Sequence, residues 1–95
     1  MKVTVTPELI KEIVKRPKDE RKAIGEAITQ AQLSWGKAHV HDGISIRRLY
    51  DDIYECRVGL SDRLVFLFVA KPPELKFYFL GDHDEVKNHI KSKRR

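Results

Sequence analysis

A histidine between two acidic residues follows the last apolar run of the chain, where Asp82, His83 and Asp84 come directly after "FYFLG". Histidine is the side chain whose ordinary pKa suits proton transfer near neutral pH, so His83 is a candidate general acid or base. It could instead bind a metal ion, or lie exposed in the first turn of a helix, because Asp82 and Glu85 have the spacing of a capping box. The residues around His83 leave all three alternatives open.

Charged side chains also alternate along an earlier strand-like run, "IYECRVG", in which Glu55 and Arg57 lie two apart, and Arg63 opens the next run. Because successive strand side chains point to opposite faces, we expect these three on the solvent-facing side of a sheet. Lys76 and Tyr78 of the last run have the same phase within their own strand. Such a face would be an open charged platform, whether it binds a ligand or is simply solvated.

A metal site would have to draw on His39, His41 and Asp42, joined by His83 and Asp84. A His-x-His spacing in a loop is a weak signal, and no second motif completes a ligand set. We therefore predict no metal ion and no cofactor, and we expect the histidines near residue 40 to lie in a solvated loop.

The single cysteine, Cys56, excludes an intrachain disulfide and the Cys-rich zinc frameworks. It is in phase with Tyr54 and Val58, so we expect a buried small side chain and not a nucleophile. The N-terminus has no apolar signal-peptide core, and no later run approaches a membrane span. The expected localisation is the reducing cytoplasm.

The chain of 95 residues has 19 Lys and Arg against 14 Asp and Glu, a formal net charge of +5. This length predicts a single domain, residues 1–95, whose site lies on an open surface or in a shallow cleft. The positive excess favours a nucleic acid or an acidic protein as partner, although many small domains carry such an excess for solubility alone.

Helical and strand periodicities divide the chain into two halves. Alternation at Val3 and Val5 predicts a short strand, and Thr6-Pro7 predicts a helix start. Pro17 ends this first helix, and a second helix follows it to about residue 33. Four strand-like runs follow, "ISIRRLY", "IYECRVG", "RLVFLFVA" and "LKFYFLG", and "RLVFLFVA" is apolar on both faces and therefore central. The predicted fold is α+β: an N-terminal strand and helical hairpin packed on a four-stranded antiparallel sheet, with a short C-terminal helix.

The run "GISIRRLYDDIYECRVGLSDRLVFLF", followed by "FYFLGDHDEV", resembles the RelE/ParE superfamily of toxins from toxin–antitoxin pairs. Its most specific pieces are Tyr-Glu-x-Arg-Val-Gly, Asp-Arg-Leu-Val-Phe and Gly-x-His-x-Glu-Val. The resemblance implies the fold predicted above, a basic concave face and a cognate antitoxin protein as partner. RelE members of the superfamily cleave messenger RNA in the ribosome without a known need for metal, whereas ParE members inhibit DNA gyrase.

The resemblance to the RNase branch also implies roles for individual residues. Metal-free RNA cleavage uses the 2′-hydroxyl as nucleophile, with His83 as general acid or base, Arg63 bracing the phosphate and Arg57 stabilising charge. Glu55 would be a partner base or a counter-ion. The implied RNA contacts are Glu55, Lys76, Tyr78 and Lys87.

The sequence therefore predicts a toxin that acts as a metal-independent, ribosome-dependent mRNA endoribonuclease and inhibits translation, with the ribosome and mRNA as further partners. Many RNase members carry an aromatic residue at the position aligned with Lys87, and its absence here favours a non-catalytic member that binds an antitoxin or RNA. A ParE-like gyrase inhibitor is the other alternative. The oligomeric state stays open.

Overall fold

The computed structural model describes residues 1–37 and 46–93, in which three helices and five strands follow one another. Within these ranges no helix has the length and apolar content needed to cross a bilayer. The elements are β1 (Lys2–Val5), α1 (Pro7–Val14), α2 (Lys18–Ser34), β2 (Arg47–Tyr50), β3 (Ile53–Val58), β4 (Asp62–Val69), β5 (Glu74–Asp82) and α3 (His83–Lys93).

The five strands form one sheet in the order β1-β5-β4-β3-β2. Neighbours from β2 to β5 are antiparallel, whereas β1 pairs in parallel with β5. The α+β class is confirmed, but the predicted sheet is one strand short, because β1 adds to the edge of β5. Backbone bonds from Thr6 to Phe77 and from Lys2 to Pro73, 3.0 and 3.1 Å long, hold it there.

The helical hairpin forms where the sequence predicts it. The Thr6 side chain caps α1 by accepting a bond from the Leu9 amide at 3.3 Å, and Pro7 occupies the first turn. Pro17 precedes α2, whose buried residues include Ile24, Ala27 and Ala31. This stripe packs on one face of the sheet, and the side chains buried between the helices and that face form the larger core.

The central strand β4 is buried on both faces. Leu64 and Phe66 point towards the helical hairpin, and Val65, which lies between them, points towards α3 with Val86 and Ile90. All three β4 side chains have no exposed surface. The prediction of a central strand is confirmed, and the second face of the sheet needs a cover of its own, which α3 supplies.

A β-bulge in β5 changes which face each side chain occupies. Phe77 pairs with Phe66 and Phe79 pairs with Val65, so that Tyr78 is an extra residue between them. Phe77 therefore contributes to the larger core, while Tyr78 and Phe79 both pack against the α3 side. Strict alternation would have placed Phe79 with Phe77.

Replacing Phe66 should destabilise the fold more than any surface change, because its ring lies 4.8 Å from Phe77 and 5.7 Å from Trp35. We expect Phe66→Ala to lower the free energy of unfolding by about 3–5 kcal/mol in urea titrations. Leu60→Ala is the matched control, because Leu60 is fully exposed and should change stability by less than about 0.5 kcal/mol. Equal effects of the two changes would contradict this assignment of the core.

Candidate functional site

Two arginines lie side by side on neighbouring strands at one end of the sheet. Arg57 on β3 is directly opposite Arg63 on β4, and Arg63 is directly opposite Gly81 on β5. Arg63 lies two residues before Val65, so this arginine row, Arg57 and Arg63, lies on the face that α3 covers. Like charges directly opposite one another on a sheet are destabilising, which indicates a role other than stability.

The end of the arginine row coincides with the start of α3. Asp82 and Glu85 form the predicted capping box, in which each side chain accepts a bond from the other residue's amide at 2.9 Å. A side chain at Gly81 would meet the Glu85 Cβ at 2.9 Å, so only glycine lets this first turn fold back over β5. His83 is thereby held as the first residue of α3, with its side chain exposed.

Glu55 is buried on the α3 face of the sheet, near this end. It is 2% exposed, and its Oε2 accepts a hydrogen bond from Arg63 Nη1 at 3.0 Å. The same oxygen forms an ion pair with Arg47 Nη2 at 3.1 Å. A buried carboxylate needs such partners, because an unpaired one would lose its hydration without compensation. Of the roles predicted for Glu55, the counter-ion is the one seen in these contacts; its roles as a base and as an RNA contact stay predictions.

Arg63 is held more tightly than Arg57. Its side chain is 21% exposed, and its Nε is buried without a hydrogen-bond partner among the described residues. Arg57 is exposed and forms no ion pair within residues 1–37 and 46–93. An unsatisfied buried donor beside an unpaired cation is energetically unfavourable, and such features are common at functional sites.

A cleft of about 440 Å³ lies between α3 and the strands β2 and β3. His83, Lys87 and Lys91 recur every four residues on α3, so they share one side of the helix and border the cleft. The residues that line it are Arg47, Leu49, Glu55, His83, Val86, Lys87, Ile90 and Lys91.

Two of the lining cations were not predicted as site residues. Arg47 is directly opposite Glu55 in the β2–β3 pair, and Lys91 lies one helical turn beyond Lys87. The four-residue spacing from His83 to Lys91 was a readable signal for a shared helix side. Arg47 had no comparable signal, because the register of β2 against β3 is not visible in the sequence.

The predicted open platform is wrong. Glu55 is buried, and α3 covers much of that face through Val86 and Ile90. Lys76 and Tyr78 are half-buried. Lys76 lies towards the other end of β5, about 20 Å along the strand from Asp82, and Tyr78 lies at the middle of the strand, where its hydroxyl contacts His89. The structure therefore brings Glu55, Arg57, Arg63, His83 and Lys87 to one end of the sheet and leaves Lys76 and Tyr78 apart.

The remaining residues singled out in the sequence are Cys56 and those that were considered for a metal site. Cys56 has no exposed surface, and burial, with the nearby Glu55 charge, raises the pKa of its thiol to about 12. The expectation of a buried side chain is confirmed, and a thiol with a raised pKa has little thiolate to act as a nucleophile near neutral pH. His39, His41 and Asp42 lie outside the described residues.

Comparisons with known proteins give a match in structure alone. No protein-family model matches the chain, and no curated protein matches it. A chain of the archaeal RelE–RelB complex from Pyrococcus horikoshii OT3 superposes with a TM-score of 0.65, at 16% sequence identity over 85% of this chain and 92% of that one. This chain has a RelE-like fold.

A second structural match extends over more of the chain. The solution structure of the conserved hypothetical protein HP0892 from Helicobacter pylori covers 90% of this chain and 98% of its own, with a TM-score of 0.51 and 21% identity. At such identities the likeness concerns the fold and not the site. The resemblance drawn from the sequence is confirmed at that level.

Removing the charge of Glu55 should destabilise the RelE-like fold, because Arg63 would lose its buried partner. We expect Glu55→Gln to lower the free energy of unfolding by about 1–3 kcal/mol in urea titrations, most of it from Arg63, since Arg47 is 63% exposed. Glu26→Gln, an exposed change on α2, is the control and should have little effect. A Glu55 variant as stable as the native chain would contradict the buried ion pair.

The stability of the fold should also depend on pH through His89. Its ring stacks on Phe79 with centroids 4.6 Å apart, and its Nε2 lies 2.9 Å from the Tyr78 hydroxyl. Burial raises the pKa of Tyr78, so this hydroxyl keeps its proton. Burial, and then the charge of Lys93, lowers the pKa of His89. The hydroxyl can donate only to a neutral ring, because a protonated imidazole has no acceptor.

Because the folded pKa of His89 is below its unfolded value of about 6.5, the unfolded chain binds more protons between the two values. The contribution of His89 to stability should be complete above pH 6.5 and should fall as the pH drops through the folded pKa. His89→Phe keeps a ring on Phe79 but cannot titrate, so it should lose this part of the pH dependence in unfolding titrations from pH 5 to 8. The same dependence in both proteins would contradict the assignment.

Proposed function

We propose that this chain is the toxin of a toxin–antitoxin pair and that it cleaves messenger RNA on translating ribosomes in the cytoplasm, without a metal ion. The observation that supports this best is the position of the arginine row, because Arg63 lies directly opposite Gly81, two residues before His83. The RelE-like fold supports the same assignment. The likeness to a chain described as a RelE–RelB complex supports an antitoxin protein as partner.

The proposed chemistry is attack of a ribose 2′-hydroxyl on the adjacent phosphorus. A bond forms between that oxygen and phosphorus, the bond to the leaving 5′-oxygen breaks, and a proton moves from the first oxygen while another reaches the second. His83 performs one of these proton transfers, because it is exposed at the helix start and can be reached by RNA. The cations nearby offset the negative charge that develops on the phosphorane.

The two arginines take different parts in this proposal. Arg57 is exposed and has no ion-pair partner in the described part of the chain, so it is free to bind the scissile phosphate. Arg63 is mostly buried and bound to Glu55, so it adds positive potential and has limited access to the phosphate. Lys87, which lines the cleft, would attract the RNA backbone.

Primer extension on a reporter mRNA in a reconstituted translation system tests the proposal. We expect ribosome-dependent cuts with the native protein and a loss of about 100-fold or more in cleavage rate for His83→Ala. Arg57→Ala should also reduce the rate. Asn88→Ala, an exposed change on the same helix, and Arg21→Ala on α2 are the matched controls and should cleave like the native protein.

A folded native protein that makes no cuts would overturn the assignment as a nuclease. One observation favours a non-catalytic RNA- or antitoxin-binding member instead, because the described lining of the cleft contains no aromatic ring on which a base could stack. In that outcome, a DNA gyrase supercoiling assay would separate the ParE-like alternative from a binding module.

A further inference from the structure

The cleft beside α3 has two kinds of surface. Its floor includes Leu49, Val86 and Ile90. The two α3 residues are 3% and 8% exposed and form, with Val65, the core on the α3 face of the sheet. Its rim carries cations on both sides, with Arg47 on β2 and Lys87 and Lys91 on α3. A volume of about 440 Å³ lies in the range of pockets for small ligands.

A ligand that matches both surfaces has a flat, weakly polar part and an anionic part. A nucleotide has this division, because its base has apolar faces and its phosphate carries the charge. We propose that the cleft binds one unstacked nucleotide of single-stranded RNA, with the base against the aliphatic floor and the phosphate towards Lys87 and Lys91. Taking RNA as the ligand rests on the proposed function.

Glu55 gives this cleft a hydrogen-bonding preference. An ionised carboxylate offers about four acceptor positions. Arg63 donates to one of them on Oε2, and Arg47 forms an ion pair with the same oxygen, so neither of these contacts uses Oε1. Although only 2% of Glu55 is exposed, it lines the cleft, so a base edge with N–H donors that enters the cleft can use a remaining position. The carboxylate of an acidic peptide cannot, since it too only accepts, so an acidic side chain is the poorer occupant.

The same contact predicts discrimination between bases of nearly equal shape. Cytosine presents an exocyclic amino donor at the position where uracil presents a carbonyl acceptor, and carboxylates accept readily from that amino group. We expect a base with an exocyclic amino group to bind the cleft more tightly than uracil. The preference is set by Glu55, and the overall affinity by the rim cations.

Nuclear magnetic resonance titration of the native protein with cytidine and uridine 5′-monophosphates tests the proposal. We expect saturable shifts of the amides of Leu49, Val86, Lys87 and Ile90, with uridine monophosphate binding roughly threefold to tenfold more weakly. Lys87→Glu and Lys91→Glu should each weaken cytidine monophosphate binding by roughly five- to tenfold. Lys22→Glu, the same charge change on α2, should not alter it.

Shifts that do not saturate, that lie outside the cleft, or that persist unchanged in both lysine variants would overturn the proposal. So would an oligoglutamate peptide that saturates the same amides while the nucleotides do not, because the occupant would then be an acidic protein. Equal affinity for the two nucleotides would overturn the role of Glu55. A mononucleotide has no internucleotide bond to cut, so this result is independent of whether the chain cleaves mRNA.

Discussion

The central strand β4 is apolar on both faces, and neither face can be left in water. With Leu64, Val65 and Phe66 fully buried, the sheet must have a cover on each side. The helical hairpin covers one side and α3 covers the other. Because α3 must return over β5 immediately after Gly81, His83 is fixed at the end of the sheet where Arg57 and Arg63 lie.

The charges at that end are organised around one buried carboxylate. Glu55 draws Arg47 from β2 and Arg63 from β4 to the same oxygen, and so connects both neighbours of its own strand. It offsets part of the repulsion in the arginine row and leaves Arg57 unpaired in the described part of the chain. The local surface is consequently positive without the loss of sheet stability that three unpaired cations would cause.

Local signals in the sequence were enough for most of the fold. Thr6-Pro7, Pro17 and the Asp82/Glu85 pair act within a few residues of one another, and each predicted helix start is present. What depended on distant residues was missed: the pairing of β1 with β5, and the contact of Arg47 with Glu55. Outward phase on a strand likewise did not mean exposure for Glu55, because a helix from elsewhere in the chain covers that face.

The bulge at Tyr78 divides β5 into two parts of opposite phase. Before it, the odd-numbered residues Leu75 and Phe77 enter the larger core, and after it the even-numbered Leu80 does so. Tolerance to substitution should therefore alternate every two residues along β5, but the alternation should shift by one residue at Tyr78. An alignment of distant relatives that places a gap on the wrong side of Tyr78 would match residues of the larger core with residues of the opposite face along the rest of the strand, up to Asp82.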